Sequence, residues 1–502
     1  MSTARRCGRP PILLLGAALI LVVLVAVLAG CTPGDSGDAL HTRALTAYRA
    51  NQFTEAMTLL DEARAAYRAE SNTAGARACT DLMQDIEIFV GTYSLTDDDA
   101  REALAEAYPN VPESERAAWL ELPDTETLIY DGETHYFGDL VANLAYRDIG
   151  LFRTKEDNVA GYRAVYEAVL PYVKASTAAD PYRPYADPAS YTFTQSMTIP
   201  RDILPATGNL QLWFPLPIEG GPQTDVRVQH VTPQQWMSLP PSTADDIGLL
   251  YMDVPLDQLT TDLVTSITFS FTHAPQYFTI DPNLVGSYDT NSALYKQYTA
   301  SNANTAITPA IRAKAKEIVG AETNPYLAAR LIYDYVVDTI KYSHMPHLCM
   351  HPRGTPESIY VHEHGNGDCG AQSMYFSALC RSVGIPARST GGFQIFMGTP
   401  SSHFWAEFYL PNYGWIPVDT SAAQISSYLP ELSDADNQAF KDFYFGNQDP
   451  LRLVVQRDTD LPLIPRADGT ILLPLAVQVP AVLCDTMDEI PGAVAMDLWS
   501  IK

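Results

Sequence analysis

Three residues of this chain occupy local settings that thiol acyl transfer requires. Cys369 lies in Gly367-Asp368-Cys369-Gly370-Ala371-Gln372, ahead of Ser373-Met374-Tyr375-Phe376-Ser377-Ala378-Leu379-Cys380, an apolar-faced run that predicts a helix ending before Gly384-Ile385-Pro386. The thiol then falls in the first helical turn, where free backbone N–H groups and the positive end of the helix dipole favour thiolate and can receive an oxyanion. His403 opens His403-Phe404-Trp405-Ala406-Glu407-Phe408-Tyr409, whose alternation predicts a strand, and Asp419 closes Gly414-Trp415-Ile416-Pro417-Val418-Asp419. Asn412 to Gly414 is turn-like, so the two runs are expected as neighbouring strands. In that arrangement His403 takes the thiol proton and Asp419 fixes the imidazole tautomer. A thiol so placed is expected to be more acidic than usual, with the adjacent Asp368 pushing the other way.

Taken singly, a buried Cys, a core His and a strand-end Asp are ordinary. Their order and surroundings carry the reading. Gly367-Asp368-Cys369, Leu379-Cys380-Arg381-Ser382-Val383-Gly384-Ile385-Pro386-Ala387-Arg388, Gly391-Gly392, His403-Phe404-Trp405-Ala406-Glu407 and Gly414-Trp415-Ile416-Pro417-Val418-Asp419-Thr420 together resemble the transglutaminase-like cysteine-enzyme superfamily. The resemblance implies a papain-like triad of Cys369, His403 and Asp419, on a helix-borne Cys packed against an antiparallel sheet. It also implies that an aromatic side chain ahead of the nucleophile helps bind the oxyanion, and Tyr342 in Ile340-Lys341-Tyr342 is the candidate. No cofactor is implied.

A competing signal precedes the nucleophile. Five of the ten histidines, His344, His347, His351, His362 and His364, fall here with Cys349 among them. Zinc is conceivable, but the spacing matches no closed structural zinc template. The favoured expectation is a solvated polar loop at the mouth of the site, with no metal; His362 or His364 is an alternative neighbour that tunes Cys369.

At the N-terminus, Arg5, Arg6 and Arg9 precede an apolar run from Ile12 to Ala29, then Leu28-Ala29-Gly30-Cys31. This looks like a lipoprotein signal peptide in which Cys31 becomes the lipidated first residue, with a retained transmembrane anchor as the alternative. Either way the bulk of the chain is expected on the extracytoplasmic side or cell surface. The formal net charge of −27 becomes more negative once those arginines are removed, which makes nucleic acid and anionic membrane surfaces poor partners. Of the remaining cysteines, Cys79, Cys349, Cys380 and Cys484 can pair in an oxidising exterior or stay reduced.

A chain of 502 residues predicts several domains. After the signal peptide, 1–30, residues 31–180 read as helical. Tyr48, Phe53, Ala56, Leu59, Leu60 and Ala63 at helical spacing suggest a tetratricopeptide-like hairpin, read as packing rather than as a peptide-binding array. A β-hairpin is expected at Asp131-Gly132. Residues 185–285 read as a β-sandwich-like domain, with strand signals at 191–194, 210–214, 226–228 and 266–271. The core at 300–430 starts with helices capped at Thr308-Pro309 and Asn324-Pro325. Residues 431–502 read as a C-terminal α/β extension, with a helix near 434–443 and strands at 451–455 and 471–479. The fold class expected is therefore α+β multidomain. The activity expected is thiol attack on peptide or isopeptide carbonyls of envelope peptides or proteins, hydrolysis favoured over amine cross-linking. The alternative from another class is a surface binding protein with a vestigial core.

Overall fold

The computed structural model describes residues 36–180, 183–396, 398–467, 478–487 and 495–501. The signal segment, Cys31 and most of the expected 471–479 strand lie outside the described residues. The architecture is α+β, and the chain divides into two compact units, 1–79 and 80–502.

In the first unit Ser36 caps helix Gly37–Arg49 by accepting from the Ala39 N–H, and the chain turns back into helix Phe53–Ala69. Leu40, Ala44 and Ala47 are buried on one helix, and Phe53, Ala56, Leu59, Leu60, Ala63 and Tyr67 on the other. The spacing read from the sequence thus marks the buried stripe of a helical hairpin. Among the described residues no helix is long and apolar enough to cross a membrane.

The second unit is built around a four-stranded antiparallel sheet in the order Gly414–Val418, Ser401–Leu410, Ala387–Gln394, Arg452–Gln456. One face packs on helix Cys369–Ser382 through Ala406, Phe408, Leu410, Ile416 and Val418, in a core shared with Phe376 and Leu379. Every residue of that helix after Cys369 is buried, and each large apolar side chain there contributes about 1.5–3 kcal/mol. Gly384, at φ 82°, supplies the left-handed residue that lets the chain leave the helix for the next strand. Farther along the sheet Phe393, Ile395, Leu453 and Val455 join the core of the preceding β domain.

That β domain consists of two sheets, one of Ala189–Ile199, Leu263–His273 and Gln223–Thr232, the other of Asn209–Pro215 and Leu249–Pro255. Strand Leu249–Pro255 is missing from the sequence reading. Its first four residues are all buried, so no alternation marks it. The expected hairpin is present, with Thr127–Tyr130 paired to Glu133–Tyr136 and both Asp131 (φ 51°) and Gly132 (φ 85°) in the left-handed region.

The expected C-terminal extension requires correction. Arg452–Gln456 is the edge strand of the core sheet, while Ala481–Cys484 pairs with Asn209–Pro215 and Ala495–Ile501 pairs with Ala189–Ile199. These strands from residues 431–502 therefore complete three sheets begun earlier in the chain. Short strand signals cannot indicate partners that lie hundreds of residues upstream.

Candidate active site

Asp368 is the N-cap of the nucleophile helix, its Oδ1 accepting from the Ala371 N–H at 2.9 Å, which places Cys369 at the first helical position. An N–H there has no intrahelical acceptor. Strands Lys341–Tyr342 and Asn366–Gly367 run parallel, with Gly367 opposite Tyr342. This pairing brings Tyr342 alongside the start of the helix.

His403 is opposite Gly392 in the sheet, and two glycines make the approach possible. A methyl group on Gly392 would lie 1.9 Å from the Leu453 carbonyl oxygen, and one on Gly391 would lie 2.8 Å from the Phe404 ring. The Gly391-Gly392 pair thus lets the Arg452–Gln456 strand and the histidine strand close on Ala387–Gln394, at a point where the register shifts. Gln478 holds the same place from outside, donating to the carbonyls of Gly392 (2.7 Å) and His403 (3.1 Å).

Asp419 leaves the end of strand Gly414–Val418 and caps the next short helix, its Oδ1 accepting from the Ala422 N–H at 2.9 Å. Its Oδ2 meets His403 Nε2 at 2.8 Å, with both side chains buried. A carboxylate only accepts, so Nε2 carries the proton in this contact and Nδ1 is the free basic nitrogen. The start of the nucleophile helix packs against the residue after His403: a methyl group on Gly370 would lie 3.5 Å from the Phe404 ring. Cys369, His403 and Asp419 are thereby drawn to one end of the sheet.

Cys369 itself is half-buried. The expectation of an acidic thiol is corrected. Burial, and after it the Asp368 carboxylate, push the thiol well above its usual range, against the opposing N–H groups of Phe404 and Gly370. The resting sulfur therefore reads as a thiol. For Asp419, burial works to raise the carboxyl, but His403 and Arg452 outweigh it and hold the group well below the usual carboxylate range. Tyr342 is raised far above its usual value by burial, then by Cys369 and Asp368, so its hydroxyl remains a donor.

Arg452 is a site residue that the sequence reading missed. It is fully buried and donates to Asp419 Oδ2 at 2.6 Å and Asp449 Oδ2 at 2.8 Å, with its guanidinium 5.4 Å from the Trp405 ring centre and 4.8 Å from that of Phe396. A lone arginine inside Leu451-Arg452-Leu453-Val454-Val455 is the available signal, because a charge in an apolar strand implies a buried partner.

The histidine-rich segment is not a solvated loop. It forms the short helices His347–Met350 and Glu357–His364, and four of its five histidines have separate partners. His344 meets Asp139 at 3.0 Å, His362 meets the Tyr375 hydroxyl at 3.0 Å, and His364 stacks on Tyr360. His347 lies between Glu357 and Asp368, next to the nucleophile. Among the described residues no cluster of three His, Cys, Asp or Glu side chains is arranged to hold a metal. Cys79, Cys349, Cys369, Cys380 and Cys484 are all free thiols.

Comparison with known proteins bears on the same stretch of chain. Residues 312–420 match the core-domain model of the transglutaminase-like superfamily. An uncharacterized protein of Haemophilus influenzae is 29% identical over 176 residues, 30% of this chain and 47% of that protein, so the chain spans about half the length of this curated relative. Among solved structures, a candidate cysteine protease from Cytophaga hutchinsonii is similar at 13% identity and a TM-score of 0.40, over 63% of this chain and 90% of that one. The periplasmic domain of TgpA from Pseudomonas aeruginosa is similar at 14% identity and a TM-score of 0.24, over 49% and 98%.

Proposed function

We propose that this protein is a thiol acyl-transfer enzyme of the cell envelope, anchored by lipid at Cys31, which attacks peptide or isopeptide carbonyls with Cys369. The observation that carries the reading is the buried His403–Asp419 pair beside the start of the helix that begins at Cys369. The sulfur forms a bond to the carbonyl carbon as its proton passes to His403 Nδ1, and the oxyanion is received by the Cys369 N–H and the Tyr342 hydroxyl. Collapse breaks the C–N bond, and the leaving amine takes the proton from His403. Water then repeats the sequence in reverse roles, releasing the acid and restoring the thiol.

Hydrolysis is favoured over transfer to an amine, and the preferred substrate is a peptide or protein of the envelope. The test is turnover of fluorogenic peptides and isopeptides by the purified full chain, in water and with a fluorescent primary amine present. We expect release of acid that disappears in Cys369→Ala and nearly so in His403→Ala. Amine incorporation exceeding hydrolysis would reverse the preference. Absence of any Cys369-dependent turnover, together with a thiol that iodoacetamide does not label, would favour the binding-protein alternative.

A further inference from the structure

His347 touches carboxylate oxygens with both ring nitrogens. Nδ1 is 2.8 Å from Glu357 Oε1, and Nε2 is 2.6 Å from Asp368 Oδ2. Carboxylate oxygens only accept, and a neutral imidazole has one N–H; two such contacts at these lengths require the imidazolium. Glu357 is buried, with its Oε2 unpartnered, so His347 is the charged group that compensates it. Asp368 uses its other oxygen to cap the nucleophile helix, and Cys369 is the next residue.

We propose that His347 is a positioning residue for the reaction. As a protonated bridge between Glu357 and Asp368, it fixes the first turn of the nucleophile helix and shields Cys369 from the neighbouring carboxylate, so loss of this one charge makes the thiol a poorer nucleophile. The inference rests on Cys369 being the nucleophile.

The charges around the bridge are consistent with this role. Asp368 and Cys369 face it from the nucleophile helix, and Glu357 faces it from the helix that begins there. His344, paired with Asp139, lies close enough to help hold Asp368 ionised. Beyond these, Arg147 and Glu126 form an ion pair, and Arg147 also bonds Ser343. Burial acts to neutralise His347, but Asp368 and Glu357 outweigh it and raise it well above the usual histidine range. Burial likewise acts to raise Asp368, and His347 outweighs it. The sign follows: stability from a raised histidine is fully present below about pH 6.5 and is lost as pH rises through the folded value. The bridge is therefore intact at neutral pH and fails on the alkaline side.

The test is the rate of Cys369 alkylation by iodoacetamide from pH 5 to 10 in the full chain, read by mass spectrometry. In His347→Gln the profile should move to higher pH, with a rate at pH 7 lower by about tenfold, one unit of thiol acidity. Adding Asp368→Asn to that variant keeps a good helix cap and should return the rate to that of the parent or above. If His347→Gln fails to fold, Asp368→Asn alone should shift the profile to lower pH. Variants that melt earlier while every alkylation profile coincides with that of the parent would overturn the proposal. Profiles that move as expected in a protein that turns over no acyl donor would support it and overturn the reaction class instead.

Discussion

Arg452→Met is the most informative perturbation of the site. The substitution keeps apolar bulk against Phe396, Trp405 and Tyr444, so the main loss is charge. Asp419 retains His403, Ser421 and the Ala422 N–H, and Asp449 retains Tyr444 and the Leu451 N–H, but neither keeps the guanidinium between them. Removing one partner of a buried ion pair costs about 3–5 kcal/mol, because the remaining carboxylates stay buried without compensation. At about 2.1 cal/mol/K per residue the unit 80–502 has an unfolding entropy of about 0.9 kcal/mol/K, so this corresponds to a fall in Tm of roughly 3 to 6 °C. The pH dependence has a definite sign. Asp419 is depressed in the fold, so its contribution is present above about pH 4, the unfolded value, and is lost as pH falls through the folded one. Without Arg452 the folded value rises, and acid unfolding should begin at a higher pH. Thermal melts at pH 7 and across pH 3 to 5 measure both effects, and Arg452→Lys should recover part of the loss. A variant that melts within about 2 °C of the parent at pH 7, with an unshifted acid transition, would show that the arginine does not hold Asp419 as argued.

Other outcomes follow from the same geometry. Asp419→Asn should keep the fold but lose about a hundredfold or more in turnover, measured as kcat, because the imidazole is then held in the wrong tautomer. Gly392→Ala places a methyl 1.9 Å from the Leu453 carbonyl, so it should lower both Tm and turnover by parting the edge strand from Ala387–Gln394, the strand on which His403 is registered. Cys380→Ala should lower stability and leave peptide turnover unchanged, and alkylation of the parent should label Cys369 before the fully buried Cys380. Cys31→Ser should abolish lipid attachment, read by mass spectrometry of the mature N-terminus. An unmodified parent chain still starting at Met1 would refute the anchor.

Cys369, His403 and Asp419 are legible in the sequence because each is set by its own neighbours. A cap and an apolar helix follow Cys369, and alternation with a turn places His403 and Asp419 on adjacent strands. The helix caps at Thr308 and Asn324 are legible for the same reason, since a side chain and the N–H groups two or three residues on make the whole signal. Arg452 is not, because its partner Asp419 is brought to it by sheet pairing rather than by proximity along the chain. His347 was obscured by Pro346, Pro352, Gly354 and Pro356, which break its segment into short helices and give it the composition of a loop. The thiol's acidity failed for another reason: composition records the dipole and the charge at Asp368, but only packing reveals how much solvent is removed.

The late strands also bear on biosynthesis. Asn209–Pro215 and Ala189–Ile199 acquire their last hydrogen-bonded neighbours only when Ala481–Cys484 and Ala495–Ile501 have emerged. At about 5–20 residues per second, the nascent chain spends roughly 15 to 60 seconds with both sheet edges open. Open edges invite pairing with other chains. A polypeptide released early would carry Cys369, His403 and Asp419 yet leave both edges unsealed. Ribosome stalling or C-terminal trimming should therefore yield aggregates rather than a partly active enzyme, and a cell making this protein has reason to keep it bound to a holding chaperone until synthesis is complete.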